Sequence, residues 1–173
     1  MKILVTGGAG FIGSHLMRTL EAADHEAIAL DNLSTGLREN LLPHMKLIVM
    51  DVHDKAVEDI FRKEHFDAVV HLAAQTLVSD SMIDPEHDMH ENIAGTVRIL
   101  ECCRKYGVKR IIFSSSAATY GDVADSALPI SETLPQQPLS FYGLTKKTAE
   151  NYLELYRLAY GIDYVIPVSY THL

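Results

Sequence analysis

The amino-acid sequence predicts an α/β fold in which helices cover both faces of a doubly wound parallel sheet. Short runs rich in Ile, Val and Leu alternate along the chain with longer stretches whose apolar residues recur at helical spacing. The short runs are continuously apolar, which is typical of strands that are buried on both faces. Strand–helix alternation of this kind indicates βαβ units, and therefore a parallel sheet.

Six strands are predicted in chain order. They are Lys2–Thr6, Ala27–Asp31, Lys46–Met50, Ala68–His71, Arg110–Ser114 and Tyr164–Ile166. The segments with helical spacing are Phe11–Ala23, Lys55–Glu64, Ile93–Tyr106 and Tyr142–Tyr160. A long polar loop with several prolines, Gly121–Gln137, precedes the last helix, and loops of this length in compact domains are usually functional.

Length and charge limit the class of protein. The chain has 173 residues, of which 47% are hydrophobic, and this supports one well-buried domain. Its formal net charge is -8, from 15 basic and 23 acidic residues, which argues against a general nucleic-acid-binding surface. A small anionic ligand is still compatible with this charge, because a nest of backbone N–H groups can hold a phosphate.

The two cysteines, Cys102 and Cys103, are adjacent. Vicinal cysteines rarely form a disulfide because the bond strains the peptide between them, so we expect two reduced thiols on a helix. No apolar stretch has the length of a signal peptide or a membrane span. These features predict a soluble, cytoplasmic protein.

A glycine-rich turn, Thr6–Gly13, lies between the first predicted strand and the first helix. Gly7 permits a tight turn, Gly10 lets the backbone approach a pyrophosphate, and Gly13 lets the helix pack closely on the strand. The helix N-terminus then offers unpaired N–H groups and a partial positive charge to phosphates. The turn therefore predicts a Rossmann-like dinucleotide site.

Asp31 ends the second predicted strand, where a carboxylate can accept hydrogen bonds from the adenosine ribose. A carboxylate there would repel a 2′-phosphate, so it favours NAD over NADP. Asp31 could also simply open the turn that follows it, and the two roles are compatible. Asp51 and Val52 could lie beside the adenine, although Asp51 is also a reasonable helix N-cap.

Tyr142 and Lys146 lie four residues apart near the start of a helix and so share one of its faces. Tyrosine is a poor base at neutral pH, because its ordinary pKa is near ~10. A neighbouring ammonium favours the phenolate, so we predict that Lys146 lowers the pKa of Tyr142. Ser114, Ser115 and Ser116 close the fifth strand at the edge where open α/β sheets bind ligands, and the residues alone do not select one of them.

Six motifs in this order resemble the extended short-chain dehydrogenase/reductase family. They are Thr6–Gly13, Asp31-Asn32, His71-Leu72-Ala73-Ala74, Asn92, Ser114–Gly121 and Tyr142–Lys146, and the resemblance runs from residue 1 to about Val165. The chain is most similar to the nucleotide-sugar epimerase/dehydratase group of that family, and within it to the UDP-glucose 4-epimerases. The resemblance implies an NAD cofactor and a UDP-sugar or other nucleotide-sugar substrate.

The resemblance also implies the cofactor contacts. The pyrophosphate would lie against Gly7, Gly10, Phe11, Ile12 and Gly13. The adenosine would lie against Asp31 and Asn32 at the ribose and Asp51 and Val52 at the adenine. The nicotinamide side would be lined by Leu72, Ala73 and Ala74, with Asn92 and Ser114 near the fifth strand.

The implied chemistry is a transient oxidation of the sugar at C4. Tyr142 would remove the hydroxyl proton, Ser116 would bridge the hydroxyl and this base, and Lys146 would bind the nicotinamide ribose and tune Tyr142. The hydride would go to NAD and return to the other face of the rotated 4-keto sugar. Tyr142 and Lys146 would therefore serve both catalysis and cofactor binding.

Two positions narrow the activity. The family's 4,6-dehydratases carry an Asp-Glu pair after the catalytic hydroxyl, whereas this chain has Ala117 and Ala118, which cannot do acid–base work. A dehydratase is thus disfavoured, and UDP-glucuronate decarboxylases and other epimerases remain alternatives. A non-catalytic NAD-binding regulator is a further alternative, against which the intact Ser116, Tyr142 and Lys146 count.

The end of the chain departs from the family pattern. The resemblance implies a C-terminal substrate domain after the sixth strand, whereas this sequence runs through Pro167 to Leu173. We therefore expect an NAD-binding domain over residues 1–166, a tail over 167–173 that is not native to the fold, and an absent substrate domain. A short homologue is the alternative. The helices Ile93–Tyr106 and Tyr142–Tyr160 resemble those at a family dimer interface, which implies a homodimer.

Overall fold

The structure is a computed structural model in which residues 1–169 are described, and it confirms the doubly wound parallel sheet. Its six strands are β1 Lys2–Thr6, β2 Glu26–Asp31, β3 Lys46–Val49, β4 Ala68–His71, β5 Arg110–Phe113 and β7 Asp163–Val165. They are all parallel, in the order β3-β2-β1-β4-β5-β7. The strand order reverses between β1 and β4, and such a switch point opens a crevice at the carboxyl ends of the strands.

Two shorter strands, β6 Ser115–Ser116 and β8 Val168–Ser169, form a separate parallel pair. The Ser115 N–H also donates to the carbonyl of Pro167, 3.0 Å away. Residues 167–169 thus pair with the segment that follows β5. The rest of the predicted non-native tail, residues 170–173, lies outside the described residues.

Helices connect the strands. They are α1 Phe11–Ala22, α2 Val57–Glu64, α3 Val78–Ile83, α4 Pro85–Met89, the π-helical turn His90–Ala94, α5 Gly95–Tyr106 and α6 Phe141–Tyr160. Short 3₁₀ turns occupy Arg38–Asn40, Ala117–Thr119 and Asp125–Ala127. Within residues 1–169, no helix has the length and apolar character needed to cross a lipid bilayer.

Side chains on the two faces of the sheet belong to two apolar cores. On β1, Leu4 packs into one core with residues of α2, α5 and α6, whereas Ile3 and Val5 pack into the other with Met17 of α1. The sequence of β1 is continuously apolar because successive residues are buried on opposite faces of the sheet. Cys102 and Cys103 lie in the first core as free thiols, as predicted.

The predicted elements are confirmed with small shifts at their ends, except before α5. There we predicted a helix that begins at Ile93, but α3 already spans Val78–Ile83, and further helical turns begin at Pro85. The Asp84 side chain caps them by accepting a hydrogen bond from the His87 N–H, and Pro85 occupies the first turn, where its missing N–H costs nothing. The polar composition of residues 84–92 hid this helix from periodicity.

Candidate active site

A cleft of about 360 Å³ opens at the carboxyl ends of the strands. Its walls come from the glycine-rich turn, the ends of β2 to β5, and α6. The predicted site residues that line it are Gly7, Gly10, Phe11, Ile12, Gly13, Asp31, Asn32, Asp51, Val52, Leu72, Ala73, Ala74, Ser114, Tyr142 and Lys146. Residues far apart in sequence therefore meet at the switch point.

The glycine-rich turn fits the roles predicted for two of its glycines. Gly7 has a φ of +68°, and a Cβ there would lie 2.8 Å from the backbone nitrogen of Ala73. At Gly13 a Cβ would lie 2.2 Å from the carbonyl oxygen of Gly7 and 2.7 Å from the Cα of Gly8. Helix α1 can thus start tightly against β1 only because position 13 has no side chain, and its N-terminus faces the cleft.

Asp31 lines the cleft and also opens the turn that follows it. Its side chain is 7% exposed, and one carboxylate oxygen accepts from the Ala9 N–H at 2.9 Å while the other accepts from the Leu33 N–H at 2.8 Å. These bonds tie the glycine-rich turn to the turn after β2. Each carboxylate oxygen has a second lone pair, so the group can also accept from a ligand in the cleft.

Asp51 and Asn32 are joined by a hydrogen bond on the wall of the cleft that follows β2 and β3. The Asn32 Nδ2 donates to Asp51 Oδ2 at 2.8 Å, and the His53 backbone N–H donates to Asp51 Oδ1 at 2.8 Å. Partial burial acts to raise the pKa of Asp51, but these hydrogen bonds outweigh it and hold the pKa below the usual value. Asp51 is therefore a charged wall of the cleft.

A buried histidine stands behind the glycine-rich turn. His71 Nδ1 lies 2.7 Å from Thr6 Oγ1, and His71 Nε2 lies 3.2 Å from Thr96 Oγ1. Thr96 donates its single hydroxyl proton to the Asn92 carbonyl, so it must accept from His71 Nε2–H, and Nδ1 must accept from Thr6. Thr6 Oγ1 in turn accepts from the Leu72 and Ala73 N–H groups, which fixes the cleft wall.

The charge state of His71 leads to a prediction of acid sensitivity. Burial, assisted by the positive charge of Lys146, lowers the pKa of His71 from 6.5 to about 3. Between these values the unfolded chain binds a proton that the folded chain does not, so stability falls as the pH falls below about 6.5. We expect the free energy of unfolding to drop by up to about 1.4 kcal/mol per pH unit between about pH 6 and 5.

The measurement is denaturant unfolding at a series of pH values. In His71→Gln this part of the slope should disappear, whereas His87→Gln, which changes an exposed histidine, should keep it. The same slope in the parent and in His71→Gln would contradict the prediction.

The Tyr142–Lys146 pair lies at the start of α6, whose N-cap is Ser140. The Ser140 Oγ accepts from the Gly143 N–H at 3.0 Å. Both members of the pair are buried, and the Lys146 Nζ donates to the carbonyl of Ser114 at 3.1 Å. The cap and this bond fix the pair at the end of β5, on the side of the cleft opposite β2.

The predicted direction of the Tyr142 pKa is wrong for the structure as it stands. Burial raises the pKa of Tyr142 above 10, the Ser116 side chain opposes this rise, and the negative charge of Asp88 adds to it. The Lys146 Nζ lies 5.9 Å from the centre of the Tyr142 ring, and burial lowers the pKa of Lys146 itself to about 8. Desolvation, which sequence spacing does not report, is therefore the largest influence on the pKa of Tyr142.

The negative charge of Asp88 opposes the lowering of the Lys146 pKa by burial, and sequence reasoning did not predict this role for Asp88. It is fully buried, and its carboxylate accepts from Thr145 Oγ1 at 2.7 Å and from Asn92 Nδ2 at 3.1 Å. The negative charge of Asp88 raises the pKa of Lys146 against the effect of burial, and Glu150 acts in the same direction. An aspartate in a polar helix gives no sign of this role in the sequence.

Two predicted site residues are not on the cleft wall. Asn92 is 2% exposed and lies behind the wall, where its Nδ2 donates hydrogen bonds to Asp88 Oδ1 and to the Gln75 carbonyl. Ser116 caps the 3₁₀ turn Ala117–Thr119 by accepting from the Ala118 N–H at 3.2 Å.

Lining residues that were not predicted are Leu30, Ser34, Thr35, Met50, Thr76, Glu91 and Ser169. Most of them follow a strand end closely, which is the signal that could have found them.

The fold and this cleft define a Rossmann-type dinucleotide-binding domain. Residues 3–173 match the NAD-dependent epimerase/dehydratase family, and the chain belongs to that family. The family agrees with the sequence resemblance to extended short-chain dehydrogenases/reductases.

Curated relatives and solved structures agree with this assignment. UDP-glucose 4-epimerases of Streptococcus mutans and Lacticaseibacillus casei are 42% and 40% identical over 98% and 95% of this chain. The Thermus thermophilus UDP-glucose 4-epimerase in complex with NAD superposes with a TM-score of 0.93 at 42% identity over 96% of this chain. The Thermotoga maritima enzyme with UDP-glucose gives 0.92 at 41% identity, also over 96%. The chain spans about half the length of these relatives, between 50% and 54%.

Proposed function

We propose that this chain binds NAD and that the protein is an NAD-dependent nucleotide-sugar 4-epimerase that interconverts UDP-glucose and UDP-galactose. The observation that carries the proposal is the buried Tyr142–Lys146 pair, which shares one cleft with the glycine-rich turn. The pair supplies a proton acceptor and a cation at the carboxyl end of β5, and the turn supplies N–H donors for a pyrophosphate. Family membership and the relatives described above point to the same reaction.

The residues of the cleft fit NAD along its length. Gly7 and Gly13 keep the turn free of side chains where the pyrophosphate would approach, and the N-terminus of α1 would face its charge. Asp31 would accept from the adenosine ribose, and its charge would oppose the 2′-phosphate of NADP. Leu72, Ala73 and Ala74 would line the nicotinamide side.

In the proposed reaction, NAD bound in this cleft would supply acceptance and return of the C4 hydride. Tyr142, as the phenolate, would take the proton of the 4-hydroxyl and later return it, and Ser116 would orient that hydroxyl. Since burial raises the pKa of Tyr142, the positive charges of Lys146 and of the oxidised cofactor must offset that rise for the phenol to act as a base. Asp88 keeps Lys146 in the charged form that this requires.

We also propose a homodimer. Helix α6 presents an exposed apolar face, which a second copy would cover. Its members are Leu144, Tyr152, Leu155, Leu158 and Tyr160. Exposed apolar side chains on one helix are typical of an interaction surface. A cytoplasmic location is proposed from the free thiols of Cys102 and Cys103, which suit a reducing compartment.

The first test is cofactor binding by the 173-residue chain. We expect NAD to bind more than about tenfold more tightly than NADP, a difference of about 1.4 kcal/mol. Isothermal titration calorimetry with each dinucleotide measures this difference in affinity. Equal affinity, or a preference for NADP, would contradict the role given to Asp31.

The second test concerns the reaction. Because the relatives are about twice as long, the chain is joined to the C-terminal half of the Streptococcus mutans epimerase and assayed with UDP-glucose and UDP-galactose. Interconversion supports the proposal. If the fusion folds and binds NAD but acts only on UDP-glucuronate, the result would contradict the epimerase proposal and indicate a decarboxylase. NAD binding without turnover of either sugar would favour a non-catalytic regulator.

A further inference from the structure

Three potential metal ligands meet beside the adenosine end of the cleft. His53 lies in the loop between β3 and α2, and His90 and Glu91 begin the π-helical turn before α5. Glu91 Oε1 is 3.5 Å from His53 Nε2 and 3.3 Å from His90 Nδ1, and one ligand atom from each residue lies within 4.8 Å of the others. Neither the cofactor nor the catalytic roles described above use the two imidazoles.

His53 Nε2 is the atom that makes this cluster unusual. It is buried and, among residues 1–169, has no hydrogen-bond partner. A buried polar atom without a partner costs about 1–3 kcal/mol, so such an atom in a native protein requires an explanation. The His53 backbone is held in place by its N–H bond to Asp51. A bound cation would give this nitrogen a partner.

The donor set selects the kind of cation. Two imidazoles and one carboxylate are ligands typical of Zn²⁺, whereas Mg²⁺ and Ca²⁺ prefer all-oxygen sites. Metal–ligand bonds of about 2.0–2.2 Å require donor atoms within about 4.2 Å of one another. The two distances that involve Glu91 already meet this condition. The cluster is therefore close to the geometry of a three-ligand site.

One adjustment is needed. The rings of His53 and His90 are stacked, with centroids 4.0 Å apart and planes at 26°, so their lone pairs do not yet converge on one point. The His90 side chain is 57% exposed whereas that of His53 is 19% exposed, so His90 is the ring that can turn. Rotation of an exposed side chain costs little compared with the gain from a metal–nitrogen bond.

We propose that His53, His90 and Glu91 form a binding site for a divalent transition-metal ion of the Zn²⁺ type, with water in the remaining position. Glu91 also lines the cleft, so the ion would neutralise a carboxylate on the wall near Asp51. The site is separate from Tyr142 and Lys146 and does not depend on the proposed epimerase activity.

The test is titration of the untagged 173-residue protein with Zn²⁺ alone, and with Co²⁺ for its ligand-field absorption. We expect one ion per chain and the absorption of a Co²⁺ site with nitrogen ligands. His90→Ala should weaken Zn²⁺ binding by more than about tenfold, because even partners of a ligand contribute 10–100-fold to affinity. His87→Ala is the matched control, since it removes an exposed histidine from the preceding helix, and it should leave the affinity unchanged.

Circular dichroism of each variant separates loss of the site from loss of the fold. His90 is exposed, so His90→Ala is expected to fold even if a variant at the more buried His53 does not. Zn²⁺ affinity that is the same in His90→Ala and the parent, or that falls equally in His87→Ala, would overturn the proposal. NAD is left out of the titration, so failure here would not bear on cofactor binding.

Discussion

Replacing Tyr142 by phenylalanine is expected to reduce sugar interconversion by about 100- to 10,000-fold, the range that a general base contributes. The assay is UDP-galactose turnover by the fusion with the Streptococcus mutans C-terminal half. Tyr142 is 9% exposed and its ring packs near Lys146, so phenylalanine preserves the shape and removes only the hydroxyl. NAD binding should therefore stay within about twofold of the parent, since the pyrophosphate and adenosine contacts are untouched.

Tyr152→Phe is the matched control for this variant. Tyr152 lies on the same helix but its side chain is 37% exposed and it is not part of the cleft, so its hydroxyl should not affect turnover. If Tyr142→Phe keeps full turnover while the control behaves as expected, then Tyr142 is not the base. If Tyr142→Phe loses both NAD binding and turnover, then the tyrosine is needed for the structure of the cleft.

Gly13→Ala is expected to weaken NAD binding by distorting the glycine-rich turn. The added Cβ would lie 2.2 Å from the Gly7 carbonyl oxygen, and both this atom and the Gly8 Cα belong to backbone that cannot turn aside as a side chain can. Relief requires α1 to move off β1, which displaces the N–H groups that face the cleft. We expect NAD affinity to fall by more than about tenfold and stability to fall by about 1–3 kcal/mol, as in overpacked cores.

The matched control is Gly107→Ala. Gly107 ends α5 with a φ of +76°, and an added Cβ would meet no atom of residues 1–169 within 4 Å. Alanine there should cost about 1–2 kcal/mol of stability through its backbone conformation and leave NAD affinity unchanged. Equal NAD affinity in Gly13→Ala and the parent, measured by titration, would show that close packing at position 13 is not needed for the site.

Much of the cofactor site could be predicted from the sequence because its determinants are local. The glycine-rich turn follows β1 directly, and Asp31 is the last residue of β2, so strand periodicity alone brings both to one edge of the sheet. The parallel order follows from strand–helix alternation. Of the 17 predicted site residues, 15 line the cleft and Asn92 and Ser116 do not, but the charge states of these residues could not be predicted from the sequence.

The tertiary structure alone decided the electrostatics of the site. Asp88 reaches Thr145 from 57 positions away, and this pairing, together with the burial of Lys146, sets which groups are charged. The predicted acidic Tyr142 was wrong for the same reason: spacing along a helix shows which side chains are neighbours, but not how far water is excluded from them. The meeting of His53 with His90 likewise depends on packing between the β3–α2 loop and the turn before α5.

The sequence by itself therefore determined the order of the elements, the glycine-rich turn and the position of the Tyr142–Lys146 pair, because each depends on residues close together in the chain. Folding decided burial and long-range contact, and through them the pKa values of His71, Tyr142 and Lys146. The physical reason is that desolvation and charge pairing depend on three-dimensional surroundings, to which distant segments contribute.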